Sequence, residues 1–499
     1  MLRVSRQKLV NQNMKRTPLL LIYLIGTLLL SYTAFRAYQL SFTHDESFTW
    51  HNYINNGSVI DILTGNPPAA NDHILNSLLM KLFSSLWGNN AFVLRMQSLL
   101  AHFLYIICTI GLVSRFKNKW YALASFILLN VNPYMLDFFS LARGYALGNG
   151  FLMASIYFIY KYYDNPSKKY LVASMLSIAL SVISVFTMIY TFISIIFALN
   201  IIILLKLHKK NNLVHIVKVW SKENKPIGII TIVLIILCFI PIRRLIVFHA
   251  LYWGGQTNLW HDTVLSLIEG SLYNQGYATH LMTMVAYLLT FIIVVSMIFV
   301  IKDLLRKSST QHTIILLLSI FMLLMPMLIS QIHHWIANGK YLIWRSTIFY
   351  VPLIMWVCVV FFDYFSKKKE SFVSVVFVWV FAGILLFNFT ESLNFKYVTE
   401  WQYDACTKEM LNNLKEDIEK TNVKTPVNLG IHWFFEPTIN FYRETQNLKW
   451  LDPVNRNGFD MPADYYYIFK YQSKYLDENH KISVKQYPVS ETILAKTPK

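Results

Sequence analysis

The sequence predicts a mainly α-helical, polytopic membrane protein with about eleven transmembrane helices, followed by a small C-terminal α/β domain. Three observations carry this. Hydrophobic residues make up 55% of the chain and charged residues 14%, with a mean hydropathy of +0.41, whereas a soluble domain is about a quarter charged. Apolar runs recur, several near or above the roughly 18–20 residues that a bilayer-crossing helix needs. Charge is also unevenly placed: residues 390–499 hold 14 Lys and Arg against 15 Asp and Glu, leaving 31 against 12 in residues 1–389. The net charge of +18 thus belongs to the membrane half, in short clusters between apolar runs. That is the positive-inside pattern, and it gives no support to nucleic-acid binding.

The first apolar run, 18–40, follows a basic leader of Arg3, Arg6, Lys8, Lys15 and Arg16. A signal peptide would have an apolar core of about 7–15 residues and a small-residue cleavage site. This run is longer, and the residues from Arg36 to Gln39 offer no such site, so it reads as a retained first span. Further spans are expected at 92–114, 120–137, 142–162, 170–187, 188–206, 227–247, 281–301, 312–332, 343–362 and 372–389. Basic segments at the N-terminus, 115–119, 161–169, 206–226, 302–307 and 367–369 alternate with connections poor in Lys and Arg. They belong on the cytoplasmic side of the inner, or plasma, membrane, which leaves the C-terminal domain extracytoplasmic. Arg243 and Arg244, at the opposite end of their span, break the pattern once.

The expected domains are 1–389, the membrane part, and 390–499. In the second, a polar helix is expected at 401–420, a strand at 427–433, a helix from Glu436-Pro437, and strands at 465–469 and 482–487. It shows no catalytic motif and is expected to cap or shape a site. Cys108, Cys238 and Cys358 lie in apolar runs and Cys406 stands alone. They offer no disulfide framework or CxxC zinc spacing and read as small core hydrophobes.

Chemistry gathers in the segments predicted outside the cytoplasm. The loop 41–91 carries THDESFTWHNY at 43–53, then Pro67-Pro68, Asn71-Asp72-His73 and an apolar, interfacial helix at 74–87. Residues 248–280 hold six aromatics and three histidines but no Lys or Arg, and 333–345 bring together His333, His334, Lys340 and Arg345. Carboxylates at a membrane surface are costly, so Asp45 and Glu46 need a reason. Thr43 to Glu46 fits a capping box, with Glu46 serving the Thr43 amide. The chemical alternative is a base that takes the proton of an attacking hydroxyl. Both stand for Glu46, and the pair could divide the roles.

Residues 41–162 resemble the membrane-embedded glycosyltransferases of the GT-C type, specifically bacterial relatives of the protein O-mannosyltransferases and the aminoarabinose transferase (glycosyltransferase families 39 and 83). The matching pieces are Asp45-Glu46 just after the first span, the stretch NPPAANDHILNSLLMKLFSSLWGNNAFVLRMQSLL, and SLARGYALGNGF at 140–151, similar to an Ala-Arg-x-Tyr-Ala start of the fourth span. The resemblance implies transfer of a sugar from a polyprenyl-phosphate carrier, with Asp45 as the candidate base. Where many relatives have His-Pro-Pro, this chain has His73-Ile74-Leu75 and carries its prolines at 67 and 68.

A glycosyl phosphate needs its leaving charge stabilised. Arg143, Lys340 and Arg345, at predicted span ends, suit that task, Arg through its forked donors; the competing reading is snorkelling, to which Arg36 and Arg95 are assigned. His44, Asp72, His73, Tyr145 and Glu269 complete the candidate substrate-binding set. Histidines paired with Asp45 or Glu46 could build a divalent metal site, but no HxxH or HExxH spacing occurs. No cofactor or metal is assigned.

The expected function is an inverting, integral-membrane glycosyltransferase. Its expected partners are a polyprenyl-phosphate-linked sugar donor, a lipid, glycan or protein acceptor, and membrane lipids. A transporter or flippase of lipid-linked sugars is the alternative, signalled by mid-span ionisable residues in matched halves. A polymerase or ligase using a diphosphate carrier is another.

Overall fold

The structure, a computed structural model, describes residues 2–207, 213–273, 276–366, 371–421 and 423–498. The basic cluster at 367–369 and part of 206–226 lie outside the described residues. Each expected span is helical. The long helices are Leu2–Gln39, Met96–Val113, Gly144–Asp164, Lys168–Ser184, Ile189–Leu207, Leu213–Val247, Thr279–Leu305, Gln311–Ala337, Tyr350–Ser366 and Ser371–Glu391. The remaining span is the pair Lys119–Asn130 and Pro133–Phe139, bent by 66°.

Among the described residues, seven helices are long and apolar enough to cross a membrane, or eight if the bent pair is one span. The count of eleven is not reached, for local reasons. Lys168–Ser184 and Tyr350–Ser366 have 17 residues each, short of a bilayer crossing at 1.5 Å per residue. Gly144–Asp164 is long enough but carries Asn149, four tyrosines beyond Tyr145, and two charges. In the bent pair, Pro133 cannot donate a helical hydrogen bond, and Asn132 restarts the helix by accepting the Met135 amide at 2.9 Å.

One apolar core fills the helical bundle. A second joins Phe42, Trp50, Tyr53, Ile74 and Leu94 to residues 406–494 of the C-terminal domain. There the Phe42 and Phe441 rings stack with centroids 4.1 Å apart, and the Phe42 amide donates to the Tyr442 hydroxyl at 2.8 Å. The C-terminal domain is therefore packed onto the loop that carries Asp45.

Its sheet runs β1-β2-β4-β3, with β1 at Leu429–Ile431, β2 at Tyr465–Phe469, β3 at Ile482–Tyr487 and β4 at Thr492–Lys496. β1 and β2 are parallel, while β4 pairs antiparallel with β2 and β3. Helices Thr407–Thr421 and Glu436–Thr445 stand where the polar helix and the Glu436-Pro437 start are expected. β4 was not foreseen.

Candidate active site

The chain leaves its first long helix and starts a short one, His44–Thr49. Capping separates the two neighbouring carboxylates. Glu46 accepts the Thr43 amide at 2.9 Å and the Thr43 hydroxyl at 3.0 Å, closing the capping box. Arg95 clamps the same carboxylate through Nε at 2.8 Å and Nη2 at 2.7 Å, and the Ala142 amide donates a further bond. Both side chains are fully buried. With both oxygens engaged, Glu46 does not line the cavity, which corrects the expectation that it takes part in catalysis. Arg95 is likewise no snorkelling side chain. Nor is Arg36, which pairs with Asp137 at 2.5 Å in the interior.

Asp45, one residue earlier on the helix, lines a cavity of about 600 Å³ together with His44, Asp72, His73, Arg143, Tyr145, Lys340 and Arg345. Eight of the ten candidate residues thus meet around one space. Glu269 does not. Ile268 and Gly270 take the buried positions of its helix, Gly270 against the Tyr134 ring, and this leaves Glu269 off the cavity wall.

Asp45 Oδ2 lies 3.3 Å from Arg143 Nη2 and 3.5 Å from Arg345 Nη2. These are ion-pair distances, and Oδ2 makes no hydrogen bond by geometry within the protein. Arg143 is held by Nη1, which donates to the Asn71 carbonyl at 3.0 Å; its buried Nε and Nη2 are without hydrogen-bond partners. Burial alone would raise the Asp45 pKa, but Arg143, Arg345 and then His44 outweigh it and hold the carboxyl below its ordinary value.

Asp72 behaves in the opposite way. Burial pushes it up to about 7, against the pull of the Ser77 hydroxyl and Arg143; Ser77 donates to it at 2.8 Å. Burial, then Arg143 and Arg345, hold His73 well below the usual imidazole value. Its ring is therefore neutral, sits edge-on to Tyr145 with centroids 5.0 Å apart, and keeps Nε2 without a hydrogen bond. Lys340 donates to the Tyr252 carbonyl. Among the described residues, no group of three or more His, Cys, Asp or Glu side chains converges in a way that could hold a metal.

Part of the wall comes from residues that sequence reasoning missed. Trp433 and Arg456 of the C-terminal domain line the cavity. Glu400 pairs with Arg345, and the Trp401 ring lies 5.0 Å from the Arg345 guanidinium. A guanidinium in apolar surroundings calls for a carboxylate, but nothing in the sequence marks Glu400, 55 residues on, as that partner. On the other side, Phe248, Leu251, Tyr252 and Trp253 form a lip that is more than half exposed.

Residues 72–242 match the family described as dolichyl-phosphate-mannose-protein mannosyltransferase. No curated protein matches the chain. Among solved structures, it is similar to ArnT from Cupriavidus metallidurans in the apo state, with a TM-score of 0.54 at 10% identity over 96% of this chain and 99% of that one. The same protein bound to undecaprenyl phosphate gives 0.55 at 9% identity with the same coverage. The chain is accordingly built on the GT-C-type membrane glycosyltransferase fold, the fold that its Asp45-Glu46 pair, its 66–100 stretch and its 140–151 motif resemble.

Proposed function

We propose that the chain is an integral-membrane glycosyltransferase that moves a sugar from a polyprenyl-phosphate carrier to an acceptor hydroxyl on the extracytoplasmic face, with inversion. The observation that carries this is the Asp45 carboxylate between two guanidiniums, at the wall of a cavity with an apolar lip. The matching family is described by a lipid-phosphate sugar donor, and a structurally similar protein was solved with undecaprenyl phosphate. Both support a lipid-phosphate carrier here.

In the proposed step, the acceptor hydroxyl gives its proton to Asp45 as its oxygen bonds to the sugar's anomeric carbon. The bond from that carbon to the phosphate oxygen breaks, and its electron pair leaves on polyprenyl phosphate. The donor phosphodiester carries one negative charge and the released monoester gains another. Arg143 and Arg345 take up that gain, a form of transition-state stabilisation. Donor binding also prepares the base, because a phosphate that engages the guanidiniums weakens their hold on Asp45 and raises its basicity. Neutral His73 and the half-protonated Asp72 position hydroxyls, while Glu46 and Arg95 hold the loop from behind.

The test supplies membranes with radiolabelled polyprenyl-phosphate sugars and follows transfer. A general base is worth about 10²–10⁴ in rate, so Asp45→Asn should lose transfer by that factor. Parental transfer in this variant removes the assigned base, and lipid-sugar flux without transfer replaces the reading with a flippase.

A further inference from the structure

Arg345 is held by residues that no site motif covers. Glu400 lies in the turn Thr399–Asp404, which leads into the C-terminal domain. Its Oε1 accepts the Arg345 amide at 3.0 Å, and its Oε2 pairs with Nη1 of the guanidinium. The Tyr134 hydroxyl donates to Oε1 from the bent helix pair. Trp401 and Trp253 lie 5.0 and 5.5 Å from the guanidinium carbon. Arg345 Nη2 is directed at Asp45 from 3.5 Å.

We propose that Glu400 is a positioning residue that divides the charge of Arg345, setting both the strength of Asp45 as a base and the grip on the donor phosphate. This rests on the reading of Asp45 as the base. A single positive charge is shared among Glu400, Asp45 and the donor phosphate, and in a partly desolvated site each pair within about 4 Å is strongly coupled. Removing the Glu400 charge turns more of the guanidinium field on the other two. Asp45 becomes a weaker base, and the phosphate is held more tightly. A purely structural role predicts the reverse for the phosphate, since a loosened Arg345 would bind it less well.

The other groups that act on Asp45 are His44 beside it, Arg143 across the cavity, Tyr145 from the helix Gly144–Asp164, and Tyr403 and Asp404 from the turn that carries Glu400. All of these side chains are kept in Glu400→Gln, and of them Tyr145 and Tyr403 also feel the Glu400 charge.

The test uses the full chain in lipid nanodiscs, with undecaprenyl phosphate as the binding probe and labelled transfer for kinetics. For Glu400→Gln, affinity for undecaprenyl phosphate should rise about threefold or more while kcat falls roughly tenfold. The acid limb of kcat/KM, which reports the free enzyme, should move to lower pH. Parallel losses of affinity and kcat on an unmoved limb assign Glu400 a structural role only, and parental values throughout also overturn the proposal. Should Glu400→Gln fail to fold, Glu400→Asp keeps the charge at shorter reach. It is expected to shift the limb less in the same direction, and an unmoved limb there counts against the proposal. Probe binding is read without transfer, so an active Asp45→Asn variant would remove the base and leave the binding arm standing.

Discussion

The Asp45 carboxylate occupies the positions on Arg143 and Arg345 that a donor phosphate would use, at 3.3 and 3.5 Å. Replacing it by asparagine therefore does two things. It removes the proposed proton acceptor, and it removes a competing negative charge. Asp45→Asn is expected to bind undecaprenyl phosphate more tightly than the parent while transferring almost no sugar, a split between affinity and kcat that unfolding cannot produce. Weaker binding in this variant would argue that Asp45 supports the phosphate pocket instead of competing with it. Asp72 makes a different prediction. Its folded pKa of about 7 lies above the unfolded value of about 4, so the native state binds the extra proton between those limits. Stability should fall as pH rises from 4 to 7 and level off above. Asp72→Asn keeps an acceptor for Ser77 and removes this term, worth roughly 4 kcal/mol at most. Thermal melts at pH 5 and 8 should show a smaller gap in the variant. Some slope remains, because burial raises Asp404 in the same direction.

At the scale of elements, the start of helix Gly144–Asp164 is where the site is packed most tightly. A Cβ on Gly144 would stand 2.1 Å from the Ser184 carbonyl oxygen and 2.7 Å from the His73 ring. Neither the backbone of the next helix nor a fully buried imidazole can yield cheaply. Gly144→Ala should therefore push helix and His73 apart, carrying Arg143 with them. A drop in kcat of about tenfold or more is expected, with intact expression read by size-exclusion chromatography; parental kcat would show that the contact is slack. The long helices were legible in the sequence because most of their apolar runs are long, although polar residues interrupt the run in Gly144–Asp164. That Asp45, Arg143 and Arg345 come together at one cavity was foreshadowed by the family resemblance for Asp45 and by predicted span ends for the two arginines. What could not be read was pairing. Glu46 with Arg95, Asp137 with Arg36 and Glu400 with Arg345 are long-range partnerships that each bury a charge, and no periodicity encodes them. The same limit let Glu269 pass as a candidate and kept Trp433 and Arg456 out.

The whole molecule is joined at the second core, where the loop carrying Asp45 and the C-terminal domain share their apolar surface. Phe441 is the hinge of that union, stacked on Phe42 at 4.1 Å and edge-on to Trp50 at 5.2 Å. Truncating a buried phenylalanine costs about 3–5 kcal/mol. If the two parts unfold as one cooperative unit, Phe441→Ala must lower the stability of both, although the residue lies in only one. The native cysteines report each part separately. Cys406 is buried in the shared core, while Cys358 is buried in the helical bundle. In single-cysteine variants heated with a thiol-reactive dye, both sites should label over the same temperature range in the parent. Phe441→Ala should shift both downward together and lower transfer with them, because Asp45 sits on the loosened loop. Early labelling at Cys406 with Cys358 unmoved would show instead that the bundle stands alone and that the C-terminal domain is an independent cap.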